Sequence, residues 1–366
     1  MRVTRAWIVV WAVAIGGLAG GQRTRAADGA SPPPDIVVLD PCFTSTCCDV
    51  PCRLLDPLGQ DPVWTGRTEA LLLWRDTPSS VPFYDFANPD TFESAGVALS
   101  ASDFQSGMAA GPRFTLFRHT GDMGAIEFNY LRVQSFTASQ SLPTIEDGYL
   151  DTQPRGLYCC DTETLRDAAG GAMSSSLQSF EVNRRFPTDG RLGWLMGFRW
   201  VEWNDGVGLQ SLTTPEIGDP YTRSYLTQTA NDLYGLQVGA DSILYGLGRS
   251  FRVEGIGKAG VFYNDARQAS RFSTTDPTID PDVLGVGTST GRAAFVGELG
   301  VTGVYDITER ISLRAGYAIF WLGGLALAPN QFDRQKLCPD SPITGATDTA
   351  GSVVVQGISL GLEGRW

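Results

Sequence analysis

Histidine is almost absent: His119 is the one residue of its kind in 366. That argues against zinc held by imidazoles and against a Ser-His-Asp hydrolase, since His119 lies in FRHTGD, a tight turn with no serine partner. Basic residues are few, 28 against 40 acidic ones, for a net charge of -12. A chain this acidic is not built to grip a nucleic-acid backbone. Beyond the N-terminus no run of 18 apolar residues occurs, so no spanning helix is expected in the mature chain. No long segment carries a 3.6-residue period. Glycine-rich phosphate loops, G-x-S-x-G, H-E-x-x-H and EF-hand loops are all missing, and neither an enzyme nor a bound cofactor is expected.

What is there begins with an export signal. Arg2 and Arg5 precede the apolar run 7–19, and the small pair Ala26-Ala27 follows, so residues 1–27 read as a secretory signal peptide. Seven cysteines suit an oxidising compartment. Cys42, Cys47, Cys48 and Cys52 cluster among prolines and aspartates, and Cys159 and Cys160 are adjacent. These six are disulfide candidates of undetermined connectivity, and the spacing fits no strong metal pattern. Residues 28–62, with SPPP and the cysteine cluster, form a proline-rich periplasmic arm too short to bury a core of its own.

Residues 63–366 read as hairpins. Stretches of 10–15 residues alternate with period two. In RLGWLMGFRW, Leu192, Trp194, Met196, Phe198 and Trp200 share one face, with Arg191, Gly193, Gly197 and Arg199 opposite. ISLRAGYAIFW and VVVQGISLGLEGRW behave alike, and seven weaker segments bring the total to ten, or twelve if residues 80–100 or one long segment such as 222–247 divide. About 9–11 tilted residues cross a hydrocarbon layer. Short links near 119–121, 187–190, 245–249 and 306–309 alternate with long polar ones over 76–105, 137–173, 204–228, 264–290 and 322–351. The expectation is all-β: a transmembrane, antiparallel, up-and-down β-barrel with short periplasmic turns and long external loops. Closure leaves no unpaired sheet edge in lipid.

The alternation assigns the inner face. Arg67 and Glu69 fall there on the first strand, with Arg113, Glu127 and Glu181 on the next three. Arg191 and Arg199 follow, then Arg252, Glu254 and Lys258, then Arg292 and Glu298, and finally Arg314, Glu363 and Arg365. Charges in a narrow lumen must pair or stay hydrated, so a ladder of salt bridges is expected. A plugged or very narrow lumen follows, not a wide pore. Trp64, Trp74, Trp200, Trp321 and Trp366, with Trp203, are placed in an aromatic membrane girdle. Arg184 and Arg185 are read as solvent-facing charges near a periplasmic turn. Acidic loops carrying Asp76, Asp85, Asp90, Asp103, Asp276, Asp280 and Asp282 offer oxygen ligands to divalent cations.

The first strand, with Trp64, Arg67, Glu69, Leu71 and Trp74, resembles the opening of the BBP7 family, found mainly in planctomycetes and named for outer-membrane β-barrel porins. The likeness continues through GRLGWLMGFRWVEWND, FRVEGIGKAGVFYN and SLGLEGRW. It implies an outer-membrane location, a lipid environment and insertion by barrel-assembly machinery, for which Trp366 resembles the usual aromatic C-terminus. It brings no catalytic residues. Two readings of function follow: a narrow porin-like channel for small solutes, or a structural or surface-interaction barrel without a conducting pore.

Overall fold

The computed structural model describes residues 63–87, 94–121, 124–142, 149–152, 168–186, 192–215, 218–248, 250–277, 283–337 and 343–366. The signal segment, the arm and all the cysteines lie outside these residues, as does Arg191, so no disulfide is found among the described residues.

Ten strands close into one barrel. They are β1 (Trp64–Arg75), β4 (Ala109–His119), β5 (Ala125–Ser141), β7 (Ala168–Phe186), β8 (Leu192–Thr213), β9 (Tyr221–Leu247), β10 (Phe251–Thr274), β11 (Val283–Asp306), β12 (Ile311–Leu325) and β15 (Gly351–Arg365). Every neighbouring pair is antiparallel, and β1 pairs with β15 to close the ring. The backbones of Trp64 and Trp366 exchange hydrogen bonds of 2.9 and 3.0 Å across that seam. Two glycines let the seam form. A Cβ at Gly357 would overlap the carbonyl oxygen of Leu72, and one at Gly361 that of Thr68.

Residues 80–100 do not divide the barrel. They form a hairpin of β2 (Pro82–Ala87) and β3 (Ser94–Ser100), which joins β6 (Tyr149–Thr152) in a separate three-stranded sheet, and β13 (Gln335–Lys336) and β14 (Thr344–Gly345) pair as a short two-stranded one. Tyr221–Leu247 is one strand of 27 residues. The long links expected over 204–228 and 264–290 are mostly strand. Only 214–220 and 275–282 connect β8 to β9 and β10 to β11. The outer face of these extensions is largely polar and the inner face mixes Asp205, Thr227 and Gln268 with Val207, Tyr225 and Phe272, so they lack the outward apolar phase that marks a strand in lipid, while their Thr, Ser and Gln side chains suit a pleated wall in water. The wall is therefore uneven: β8 to β11 run 22–27 residues, β1 and β4 only 12 and 11.

The outer face of the lower barrel is apolar. Leu236 and Val261 are 72 % and 70 % exposed, and Trp74, Trp321 and Trp366 also face out. Exposed apolar surface on this scale is stable only against lipid. One outward rung is aromatic across six strands: Phe114, Tyr130, Phe180, Trp200, Tyr234 and Tyr263 pair in that order. Trp203 does not belong to the girdle. Three residues from Trp200, it has the opposite phase and is fully buried inside.

Candidate functional site: the barrel lumen

Each long strand carries the same inward sequence of chemistries. On β8 it runs from Arg199, through Val201 and Trp203, to Asp205, then Val207 and Leu209. On β10 it runs from Lys258, through Phe262, to Asn264 and on to Phe272. Antiparallel register stacks these positions into layers.

The layer nearest the short turns is ionic and consists of two networks. In one, Glu363 accepts from Arg67 (2.6 Å), Arg314 (2.8 Å) and Arg365 (2.7 Å). Glu254 accepts from Arg252 (2.7 Å) and Arg314 (3.0 Å), and Asp306 holds Arg252 and Arg365. Glu69 lies 3.7 Å from Arg314. Four cations thus face four carboxylates. The second network crosses the barrel from β4 to β9. Arg113 donates to Glu298 (2.7 Å), which also holds Arg199 (2.9 Å); Arg199 lies 3.5 Å from Glu181. Lys258 donates to Glu181 (2.7 Å) and reaches Glu127 at 3.4 Å. Arg185 joins Glu127 (2.5 Å) to Asp241 (2.6 Å). Again four cations meet four carboxylates, so among the described residues each network is balanced, the condition for tolerating ions out of water, with Asp241, 37 % exposed, at the wet edge of the second. Phe117 ties the two together, with the Arg67 and Arg185 guanidiniums 4.6 and 5.1 Å from its ring centroid.

Of the charges that alternation assigns inward, all except Arg191 and Arg292 sit in these networks. Arg292 is exposed, at a height where β11 no longer pairs with β12. Arg185 is not a solvent-facing charge; its odd number on β7 turns it inward beside Glu181 and Asn183. Asp241 and Asp306 complete the set and were not singled out in the sequence, although their phase on β9 and β11 marks both as inward.

Above the ions lies an apolar layer. Every one of the ten strands contributes to it, through residues such as Leu71, Ala109, Leu131, Leu177, Trp203, Leu233, Phe262, Val296, Phe320 and Val355. None of this cluster is more than 6 % exposed. Fully burying a large apolar side chain contributes about 1.5–3 kcal/mol, so the layer is a core in the full sense.

A polar latch follows. Arg75 donates to Asp205 (2.7 Å) and to Ser175, with its guanidinium 5.4 Å from the Trp203 ring centroid. The segment after β12 turns into the lumen here. Gly324 has φ +83°, the left-handed region that favours glycine. Asn264 donates to its carbonyl (2.9 Å); Asn231 donates to the Ala326 carbonyl (2.9 Å) and accepts from the Ala326 amide (2.7 Å); Asp205 accepts from the Ala328 amide (3.1 Å). Beyond the latch a second apolar cluster seats Phe83, Tyr84, Leu99, Phe104 and Phe332 of the connecting segments against Met173, Val207, Tyr225 and Phe272 of the tall wall.

Three of the acidic connection residues have side-chain partners. Asp85 accepts from Ser94, Asp103 from Ser100, and Asp276 pairs with Arg223. No group of three potential metal ligands occurs among the described residues; Asp90, Asp280 and Asp282 lie outside them.

Comparison with solved structures finds barrels at low similarity. The CymD monoaromatic hydrocarbon channel shares 9 % identity over 86 % of this chain and 92 % of its own, with a TM-score of 0.20. A Pseudomonas aeruginosa FadL homologue shares 10 % over 83 % and 89 %, at 0.21. The Pseudomonas putida toluene transporter TodX shares 7 % over 84 % and 89 %, at 0.22. Superpositions this distant carry no argument about the lumen. No curated protein matches the sequence. The family model Putative beta barrel porin-7 (BBP7) matches residues 161–366, which hold β7 to β15. The chain belongs to that family, and with it to the porin-type, non-catalytic barrels of the outer membrane.

Proposed function

We propose that this protein is a sealed outer-membrane barrel that serves the cell envelope through its tall outer wall and folded loops, without passing solutes in this state. One observation carries the reading: all ten strands contribute buried apolar side chains to one layer, among them the large Trp203, Phe262 and Phe320. A water-filled route would leave lining atoms wet on at least part of that circle. The latch and the second apolar cluster close the same path again above it. Family membership favours a second reading, a narrow porin-like channel for small solutes. That reading requires the 326–350 segment to leave and the Trp203–Phe320 layer to part.

Planar-bilayer recordings separate the two. The full chain, refolded and inserted, is expected to give no discrete conductance steps in 1 M KCl, and deletion of 328–349 is expected to leave it silent because the apolar layer remains. Steps from the intact chain would overturn the sealed reading. Steps from the deletion variant alone would make the segment a removable plug and restore the channel. Insertion by the barrel-assembly machinery belongs to the same proposal.

A further inference from the structure

The outer face of β7 to β10 changes chemistry rung by rung above the lipid band. The aromatic rung ends in Phe180, Trp200, Tyr234 and Tyr263. Two residues higher, the paired positions are Gln178, Glu202, Asp232 and Asp265; then Ser176, Asn204, Ala230 and Arg267; then Ser174, Gly206, Gln228 and Ala269. On these last two rungs the wall is hollowed outward. A cavity of about 630 Å³ is bounded by Gln134, Ser174, Asn204, Gly206, Gln228 and Arg267, and a second of about 460 Å³ shares Ser174, Gly206 and Gln228 with it.

We propose that this hollow binds the saccharide headgroup of an outer-leaflet glycolipid. Three features support that occupant. Long connections mark this end of a barrel as external, and the hollow begins two rungs above aromatic side chains of the kind that sit at the lipid–water boundary, so it lies at headgroup height. The larger cavity carries amide, hydroxyl and guanidinium groups that match the donors and acceptors of a sugar, while Ala230 and Ala269 there, and Ala138, Ala172 and Leu226 in the second, give apolar patches against which a sugar ring's carbon face can lie. The small side chains at its floor leave room for a ring, as Gly206 shows: a Cβ added there meets nothing nearer than the Ser174 hydroxyl at 3.5 Å. Arg267 is held by Asp265 and lies 3.9 Å from Asp232, which fixes its guanidinium at the lower lip. The lipid-facing wall would thus anchor a specific lipid, and this holds whether or not the lumen conducts.

The test uses the full chain in phosphatidylethanolamine–phosphatidylglycerol vesicles with and without rough lipopolysaccharide, followed by mild detergent extraction and native mass spectrometry. The wild type is expected to retain lipopolysaccharide, and Gly206→Phe, which fills the hollow from its floor, to lower its occupancy at least tenfold. Heat-modifiable gel mobility reports whether each variant is folded. If Gly206→Phe does not fold, the Asn204→Ala/Gln228→Ala pair takes its place, with the same expected loss. Equal retention by wild type and folded variant, or none by the wild type, overturns the proposal. A dimer without lipid that the variant dissolves overturns it too, and gives the face to a second copy.

Discussion

Replacing Lys258 with methionine removes one cation from the second lumen network and keeps the length and apolar stem of the side chain. In the wild type the ammonium lies 2.7 Å from Glu181 and 3.4 Å from Glu127, and all three side chains are at most 2 % exposed. Without it, three guanidiniums face four carboxylates; Glu127 keeps Arg185 and Glu181 keeps Arg199 at 3.5 Å, but the two buried carboxylates lose the cation they share and the network carries an uncompensated negative charge. Breaking a buried pair from one side costs about 3–5 kcal/mol. With a urea slope of roughly 3 kcal/mol per molar, the unfolding midpoint should fall by more than about 1 M. The assay is reversible urea unfolding in lipid vesicles, followed by tryptophan fluorescence. The double variant Lys258→Met/Glu181→Gln restores neutrality, and a glutamine oxygen still accepts from Asn183 and Gln237, which bond Glu181 at 3.0 and 2.8 Å. It should be more stable than Lys258→Met alone. An exposed ion pair contributes only about 0–1 kcal/mol. If Lys258→Met costs that little, and the second substitution recovers nothing, water reaches the network and the sealed lumen is wrong.

Trp203→Ala empties the largest side chain of the apolar layer and should cost about 3–5 kcal/mol in the same assay; a loss near zero would mean that the layer is loosely packed. Asn231→Ala strips both hydrogen bonds from Ala326 and should destabilise the latch by about 1–3 kcal/mol, read as faster limited proteolysis within 326–350 while the barrel keeps its heat-modifiable mobility. Gly357→Ala places a Cβ against the Leu72 carbonyl at the closing seam, and should slow folding into vesicles and cost at least about 1–3 kcal/mol; a wild-type folding rate would show that the seam has slack.

The membrane part of the barrel was legible because lipid imposes a strict rule on alternate residues. Leu192, Trp194, Met196 and Phe198 must face hydrocarbon, so Gly193, Gly197 and Arg199 must face in, and the same count fixes Glu363 and Arg365 on β15. The rule stops at the lipid boundary. Above Trp200 and Tyr263 the outward positions are Glu202, Asn204, Asp265 and Arg267, and the outward apolar phase that marks a strand in lipid is gone although the strand continues. In the sequence, residues 204–213 of β8 and 221–228 of β9 therefore read as loop. Trp203 shows the complementary case: its nearness to Trp200 suggests the girdle, but parity alone decides the face and turns it inward.

The charges were legible one by one, but their partners were not, because pairing in a lumen depends on which strands face each other across the barrel. Arg113 and Glu298 are 185 residues apart, and Lys258 and Glu127 are 131 apart. What the sequence does constrain is the sum. Among the described residues, eight cations and eight carboxylates share this narrow space, and a single unmatched buried one costs more than most side-chain changes in the protein. Exact neutrality in each network is thus a requirement of burial and not of transport. A conducting pore has no such constraint, since water and mobile ions would compensate an excess of either sign, and a selective pore would use that excess. The balance is therefore independent support for a lumen that stays dry, resting on charge where the apolar layer rests on packing.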